Sequence, residues 1–128
     1  MTIDAEVRTE SFDPDNLIAG HKPSAKAIPI VLTDGEVVVR GHVLGRVTAS
    51  GKYLISLNAA VDGSEVARAI AAEALSPSGA DGKMLAYVEG EFNQDKLTFG
   101  TGQTIANTTE DLKDKNIYIV DPVTKTPV

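Results

Sequence analysis

The residues able to do chemistry are few and badly placed for it. Two histidines, His21 and His42, stand 21 positions apart, and neither has a Cys or carboxylate at metal-ligand spacing. The run Gly45-Arg-Val-Thr-Ala-Ser-Gly51-Lys52 invites comparison with a phosphate-binding loop, but it puts five residues between the glycines where four are needed. Tyr53 also stands where a magnesium-binding Ser or Thr belongs. Gly100-Thr-Gly102-Gln-Thr-Ile105 begins like a dinucleotide fingerprint, lacks its third glycine, and reads as a loop with no amphipathic helix behind it. A triad of His42, Ser50 or Ser56 and an acid has no nucleophile-elbow pattern around it. The carboxylate pairs Glu89/Glu91 and Asp34/Glu36 could run acid–base chemistry or hold calcium; at alternate positions along strands they fit a solvated face beside an edge. Asn107-Thr-Thr109 matches a glycosylation sequon, and no secretion signal accompanies it. No catalytic residue, cofactor-binding residue or metal ligand is assigned, and the chain is not expected to be an enzyme.

Composition narrows the partners. Lys plus Arg number 12 against 18 Asp plus Glu, a formal charge of −6, which disfavours a nucleic-acid backbone or an anionic membrane surface. With no cysteine there is no disulfide framework, thiolate zinc site or thiol nucleophile. The chain shows no apolar run long enough for a membrane-spanning helix. Val plus Ile supply 22 residues and Leu 9, a bias toward β-branched side chains that suit strands. Aromatics are 5% and Trp is absent, so the core is expected to be thin.

The elements follow from period and punctuation. Residues 1–26 read as a flexible N-terminal arm and 27–128 as the folded domain. The arm carries Asp4, Glu6, Glu10, Asp13 and Asp15 with Pro14 and Pro23, and lacks the apolar density that offsets the entropy of ordering. Within it Ile3, Ala5 and Val7 alternate, followed by Thr9 and Ser11, the pattern of a strand that forms when an edge is offered to it. From Ala27 the alternation of Ile28, Ile30 and Leu32 predicts a strand, with Pro29 placing it at an edge or at the start of the strand. Asp34-Gly35 predicts a turn and Glu36–Arg40 a second strand, ended by a bend at Gly41. Strands are expected at Val43–Val47, Lys52–Leu57, Met84–Phe92, Lys96–Phe99 and Asn116–Val120, with turns at Ser50-Gly51 and Asp81-Gly82. Asp62-Gly-Ser-Glu65 has the form of a capping box and is followed by the alanine-rich run Val66–Leu75, which predicts a helix. Residues 101–116 are ambiguous between a loop and a short helix near Thr109–Lys113. The expected class is mainly β with one short α-helix, a compact barrel or sandwich-like domain.

Taken together, Leu17-Ile-Ala-Gly20, Ala27-Ile-Pro-Ile-Val-Leu32, Gly41-His-Val-Leu-Gly45-Arg-Val-Thr48, Gly51-Lys-Tyr53 and Asp62-Gly-Ser64 with Ala69-Ile70 and Glu73 form an ordered set. With Tyr87-Val-Glu-Gly-Glu-Phe-Asn93 and Leu97, the set resembles the head decoration protein D family of lambda-like bacteriophages over about residues 17–99. The resemblance implies a homotrimer made in the host cytoplasm and carried on the outer surface of the virion. Its partner there would be the major capsid protein, at the local threefold axes of the expanded head. It also implies that the N-terminal arm orders as an added strand on the shell, which makes Ile3, Ala5, Val7, Thr9 and Phe12 the candidate capsid-binding residues. Two other classes fit the same composition: another small β-rich virion or tail protein, and a small-ligand-binding β-barrel with a deep apolar pocket.

Overall fold

The computed structural model describes residues 16–20, 24–121 and 126–127. In chain order its elements are β1 (Lys26–Leu32), β2 (Val43–Arg46), β3 (Tyr53–Ile55), β4 (Ala67–Ala71), β5 (Gly82–Asn93), a 3-10 turn (Gln94–Lys96), α1 (Ile105–Lys113), β6 (Ile117–Asp121) and β7 (Thr126–Pro127). Antiparallel pairings join β1 to β5, β5 to β4, β4 to β2 and β2 to β3. A parallel contact between β3 and β1, Leu32 opposite Tyr53, closes these five strands into a barrel. The long β5 outruns the barrel, and its second half pairs in parallel with β6, which carries β7.

Two apolar clusters follow from the two faces of this sheet. Ile30, Leu32, Leu44, Ala69, Ala71, Met84 and Ala86 come from the barrel strands and, with Val38, fill the lumen. Outside the barrel, Leu17, Val43, Ala67, Ile70, Phe92, Leu112, Ile117 and Ile119 pack α1, β6 and the N-terminal residues against it. Consecutive residues thus serve opposite clusters: Val43 and Ile70 face each other in the outer layer, while their neighbours Leu44 and Ala69 pair in the lumen. The register shifts between Leu44 and Gly45, passing over Arg68. That bulge turns Ala67 to the same side as Ile70.

The helix expected over Val66–Leu75 is therefore a strand. Ala67, Ala69, Ile70 and Ala71 are all buried, on both faces of the sheet. Small side chains are what such a doubly covered strand requires, and this tertiary demand overrides the helix propensity of alanine. The capping residues cap a turn instead: Asp62 Oδ1 accepts from the Ser64 amide at 3.0 Å, and the Gly63 amide, at φ 103°, donates to Glu65 Oε1 at 2.9 Å.

Among the described residues the one α-helix lies at Ile105–Lys113. Of the two readings open for residues 101–116 the short helix forms, reaching four residues further back than Thr109, toward Gly100-Thr-Gly102, where the sequence reads as a loop. Its buried face is Thr108, Thr109 and Leu112, which reads as polar. The two hydroxyls donate to the Thr104 and Ile105 carbonyls one turn back, so their burial leaves no donor unsatisfied. Thr104 is the N-cap, in a reciprocal pair with Asn107. Two expected strands shrink to single bridges, Val38 with Leu75 and Thr98 with His42. The Asp34-Gly35 turn is present, but β1 leaves it to pair with β5 and β3, so the expected hairpin to Glu36–Arg40 does not form. The bend at Gly41 (φ 99°) and the turn at Gly51 (φ 77°) stand as expected.

Candidate interaction surface

The side chains that could do chemistry are used to tie the fold. His42 Nδ1 accepts the Val39 amide N–H at 3.0 Å, which requires that nitrogen to be unprotonated. Burial holds the imidazole below its ordinary value and outweighs the opposing pull of the Glu36 carboxylate. Glu36 itself accepts from the Ile55 amide at 3.0 Å, at the end of β3. Asp34 accepts the Gly79 amide at 2.9 Å, and Asp81 accepts the Asp34 amide at 2.9 Å. Lys52 Nζ lies 2.6 Å from Asp81 Oδ2, so this chain links three loops at one end of the barrel. The Lys52 side chain and the Asp34 amide hold the Asp81 carboxyl below its usual range. The Ser64 hydroxyl and amide do the same for Asp62. Among the described residues no three His, Cys, Asp or Glu side chains gather as a metal site.

Of the expected carboxylate pairs, Asp34/Glu36 separates into structural roles, while Glu89 and Glu91 stay two residues apart on β5. Asp34 and Glu36 bind different loops, and Glu89 stands opposite Lys26 in the β1–β5 register. Gly45–Lys52 is a turn, closed by the Val47 amide on the Lys52 carbonyl at 2.9 Å and by the Gly51 amide on Val47 at 2.8 Å. His42 lies at the Gly41 bend, whereas His21 is outside the described residues, so no paired-histidine site is assembled from them.

The spaced motifs meet in space. A Cβ on Gly45 would stand 1.9 Å from the Ser64 carbonyl oxygen, so β2 and the Asp62-Gly-Ser64 turn touch backbone to backbone. Behind that contact the Ser56 hydroxyl donates to the Ser64 carbonyl at 2.7 Å. The Gln103 side-chain amide donates to Ser56 Oγ at 2.8 Å and to the Glu65 carbonyl at 2.7 Å. Sequence reading passed over Gln103, whose role shows only once the loop before α1 is folded against β3. Arg40 likewise donates to the Ala72 carbonyl and the Tyr87 hydroxyl, both at 3.0 Å, with its guanidinium 5.6 Å from the Tyr87 ring centre.

What remains accessible is apolar surface and strand edge. Val61 is 96% exposed and Val37 66%, and Val39, Leu57 and Leu85 are also exposed. Along β1 an open groove of about 390 Å³ runs over Ile28, Pro29, Ile30, Val31, Gly51, Tyr53 and Lys83. It exists because β3 begins too late to cover β1: the two strands meet only at Leu32 and Tyr53.

The N-terminal segment enters the body at one defined place. Leu17 is 1% exposed and sits in the outer cluster. Its carbonyl accepts the Asn93 amide at 2.8 Å, Ile18 bridges Phe92, and the Ala19 amide donates to Glu91 at 2.8 Å. Residues 16–20 are thus docked along β5, and Lys26 is already the first residue of β1. The candidate capsid-binding residues Ile3, Ala5, Val7, Thr9 and Phe12 lie outside the described residues.

Comparison with known proteins adds the last observation. A family model described as bacteriophage lambda head decoration protein D matches residues 7–117. No curated protein matches the chain.

Proposed function

The chain belongs to the bacteriophage lambda head decoration protein D family, and on that premise we propose that it binds as a homotrimer to the outer surface of the expanded phage head. The family assigns a structural role on the phage capsid. The finer reading puts each trimer over a local threefold axis of the major capsid protein, where it holds the shell against the pressure of packaged DNA. The match over residues 7–117 carries this reading, and the docked root at Leu17–Ala19 supports it.

In this reading the arm is residues 1–26, rooted on β5 by its second half, and residues 1–15 are the part that reaches the shell. Backbone hydrogen bonds to a shell strand supply affinity, and Ile3, Ala5, Val7, Thr9 and Phe12 supply register through alternate pockets. A ligand that binds only the expanded shell stabilises that state by mass action. Three arms on one trimer raise the effective concentration of the second and third contacts once the first has formed. A trimer carries three times −6, or −18, which keeps unbound trimers apart. The barrel lumen, filled by Leu32, Leu44 and Met84, does not support the alternative of a ligand-binding barrel.

The test is co-sedimentation of the full chain with phage heads before and after expansion. Binding to expanded heads alone is the expected outcome. Equal binding to both, or to neither, overturns the proposal.

A further inference from the structure

We propose that residues 36–40 are a strap over the barrel lumen that opens when the His42 imidazole takes up a proton. The device belongs to the body of the chain and does not depend on what the body binds. The strap lies between two glycines with left-handed backbone, Gly35 at φ 93° and Gly41 at φ 99°. Both ends are fixed. Before Gly35, the Asp34 carboxylate accepts the Gly79 amide at 2.9 Å and the Asp34 amide donates to Asp81. After Gly41, the His42 carbonyl accepts the Ala71 amide at 2.9 Å. Between these anchors Val38 is 1% exposed in the lumen cluster, while Val37 and Val39 beside it are 66% and 47% exposed. One side chain thus plugs the lumen from a segment whose neighbours face water.

Little backbone holds the strap. Val38 exchanges hydrogen bonds with Leu75 at 2.9 Å in both directions, and the Glu36 amide reaches the Thr33 carbonyl at 3.3 Å. Side chains supply further ties. Glu36 accepts the Ile55 amide, Arg40 donates to the Ala72 carbonyl and the Tyr87 hydroxyl, and His42 Nδ1 accepts the Val39 amide. The guanidinium keeps its charge at every working pH, so the Arg40 end stays down. The His42 tie has no such constancy. Nδ1 can hold a proton or accept the Val39 N–H, and a protonated ring turns a donor against that donor.

The groups around the ring decide the sign. β4 brings Ala71 and the segment after the 3-10 turn brings Thr98, neither of which titrates, and Lys96 meets the Gly41 bend with its carbonyl. On the strap itself the Glu36 carboxylate attracts the imidazolium, and the same carboxylate is the acceptor of the Ile55 amide. Protonation therefore removes the Val39 tie and sets the ring in competition with Ile55 for the Glu36 tie. Burial opposes the charged ring, and opening relieves that opposition by returning the ring to water. The closed strap favours the neutral ring and the open strap the charged one. Opening thus grows as pH falls below the ordinary value of 6.5 and levels off beneath the lowered closed-state value.

The experiment follows amide hydrogen exchange of the full chain by NMR between pH 7.5 and 5.5, expressed as protection factors so that the intrinsic pH dependence of exchange drops out. Protection at Val38, Val39, Ile55 and Leu75 should fall at least about threefold more than at Gly90 and Asn93, whose bonds to Asn116 and Leu17 lie in the outer layer. His42→Gln keeps an acceptor for the Val39 amide and does not titrate, so the difference should vanish in it. His21→Gln removes the other histidine, and the difference should persist there. Equal loss at all six amides, no loss at the strap, a difference that survives in His42→Gln, or one that disappears in His21→Gln overturns the proposal. The wild type gives a readout that needs no variant. The His42 ring signals should titrate below 6.5, with strap protection declining between 6.5 and that midpoint; a ring that titrates at or above 6.5 overturns the proposal.

Discussion

The barrel lumen and the outer layer share a sheet and differ in what they hold. Every lumen strand neighbours another in the closed ring, and the cluster inside is built from medium and small side chains such as Leu44, Ala69, Ala71 and Ala86. The outer layer joins pieces from opposite ends of the chain: Leu17, Phe92, Leu112 and Ile117 meet on one face. The lumen specifies the barrel; the outer layer fixes where the N-terminal segment leaves it. On the function proposed above, both are used: a body that persists and a root from which an arm would reach a shell.

That contrast can be broken residue by residue. The largest effect is expected at Phe92, fully buried and 5.2 Å from the Tyr87 ring, where truncation to Ala should cost about 3–5 kcal/mol by denaturant unfolding. Leu44→Ala and Leu17→Ala remove the same atoms from the two clusters, and each should cost about 2–5 kcal/mol. Hydrogen exchange should tell them apart. Leu44→Ala lowers protection throughout the barrel strands, while Leu17→Ala lowers it first at Ala19 and Asn93, the two amides that tie the root to β5. Uniform loss in both variants would merge the two regions into one cooperative unit.

Smaller effects sharpen the picture at the outer helix and the Gly41 bend. Thr104→Ala removes the N-cap of α1 and should cost about 1 kcal/mol, with α1 and β6 losing protection before the barrel. His42 has a folded-state value lowered by burial, so the unfolded chain binds its proton more readily. Its contribution to stability is intact above the ordinary value of 6.5 and declines as pH falls below it, levelling off beneath the lowered folded value. Thermal melts between pH 7.5 and 5.5 should therefore show a smaller loss of Tm for His42→Gln than for the wild type.

Much of the barrel was legible before any coordinates. The alternation of Ile28, Ile30 and Leu32 gave β1, and the glycines at 35, 41 and 51 gave its turns and bend, since local period and backbone freedom decide these features. Burial on both faces was not legible. In β4 it removes the polar half of the strand pattern and leaves alanines, which taken alone favour a helix. In α1 the buried face is hydroxylic, and only the bonds from Thr108 and Thr109 to carbonyls one turn back make it a core surface. The Glu36–Arg40 valines alternate about one bridge and never gain a ladder: only Val38 exchanges backbone hydrogen bonds, with Leu75, and Glu36 takes the Ile55 amide with its side chain. The motifs behind the family resemblance were visible as spacing; that Gly45 touches the Ser64 carbonyl was not, because it depends on a contact between segments 19 residues apart.

The central claim separates a body that folds from an arm that binds, and deletion of residues 1–15 tests it directly. The cut stops short of Leu17, so the outer layer keeps its root. Co-sedimentation with expanded heads should find the full chain in the pellet and the truncated chain in the supernatant, with Tm and trimeric mass unchanged. Equal pelleting of the two chains would contradict the account.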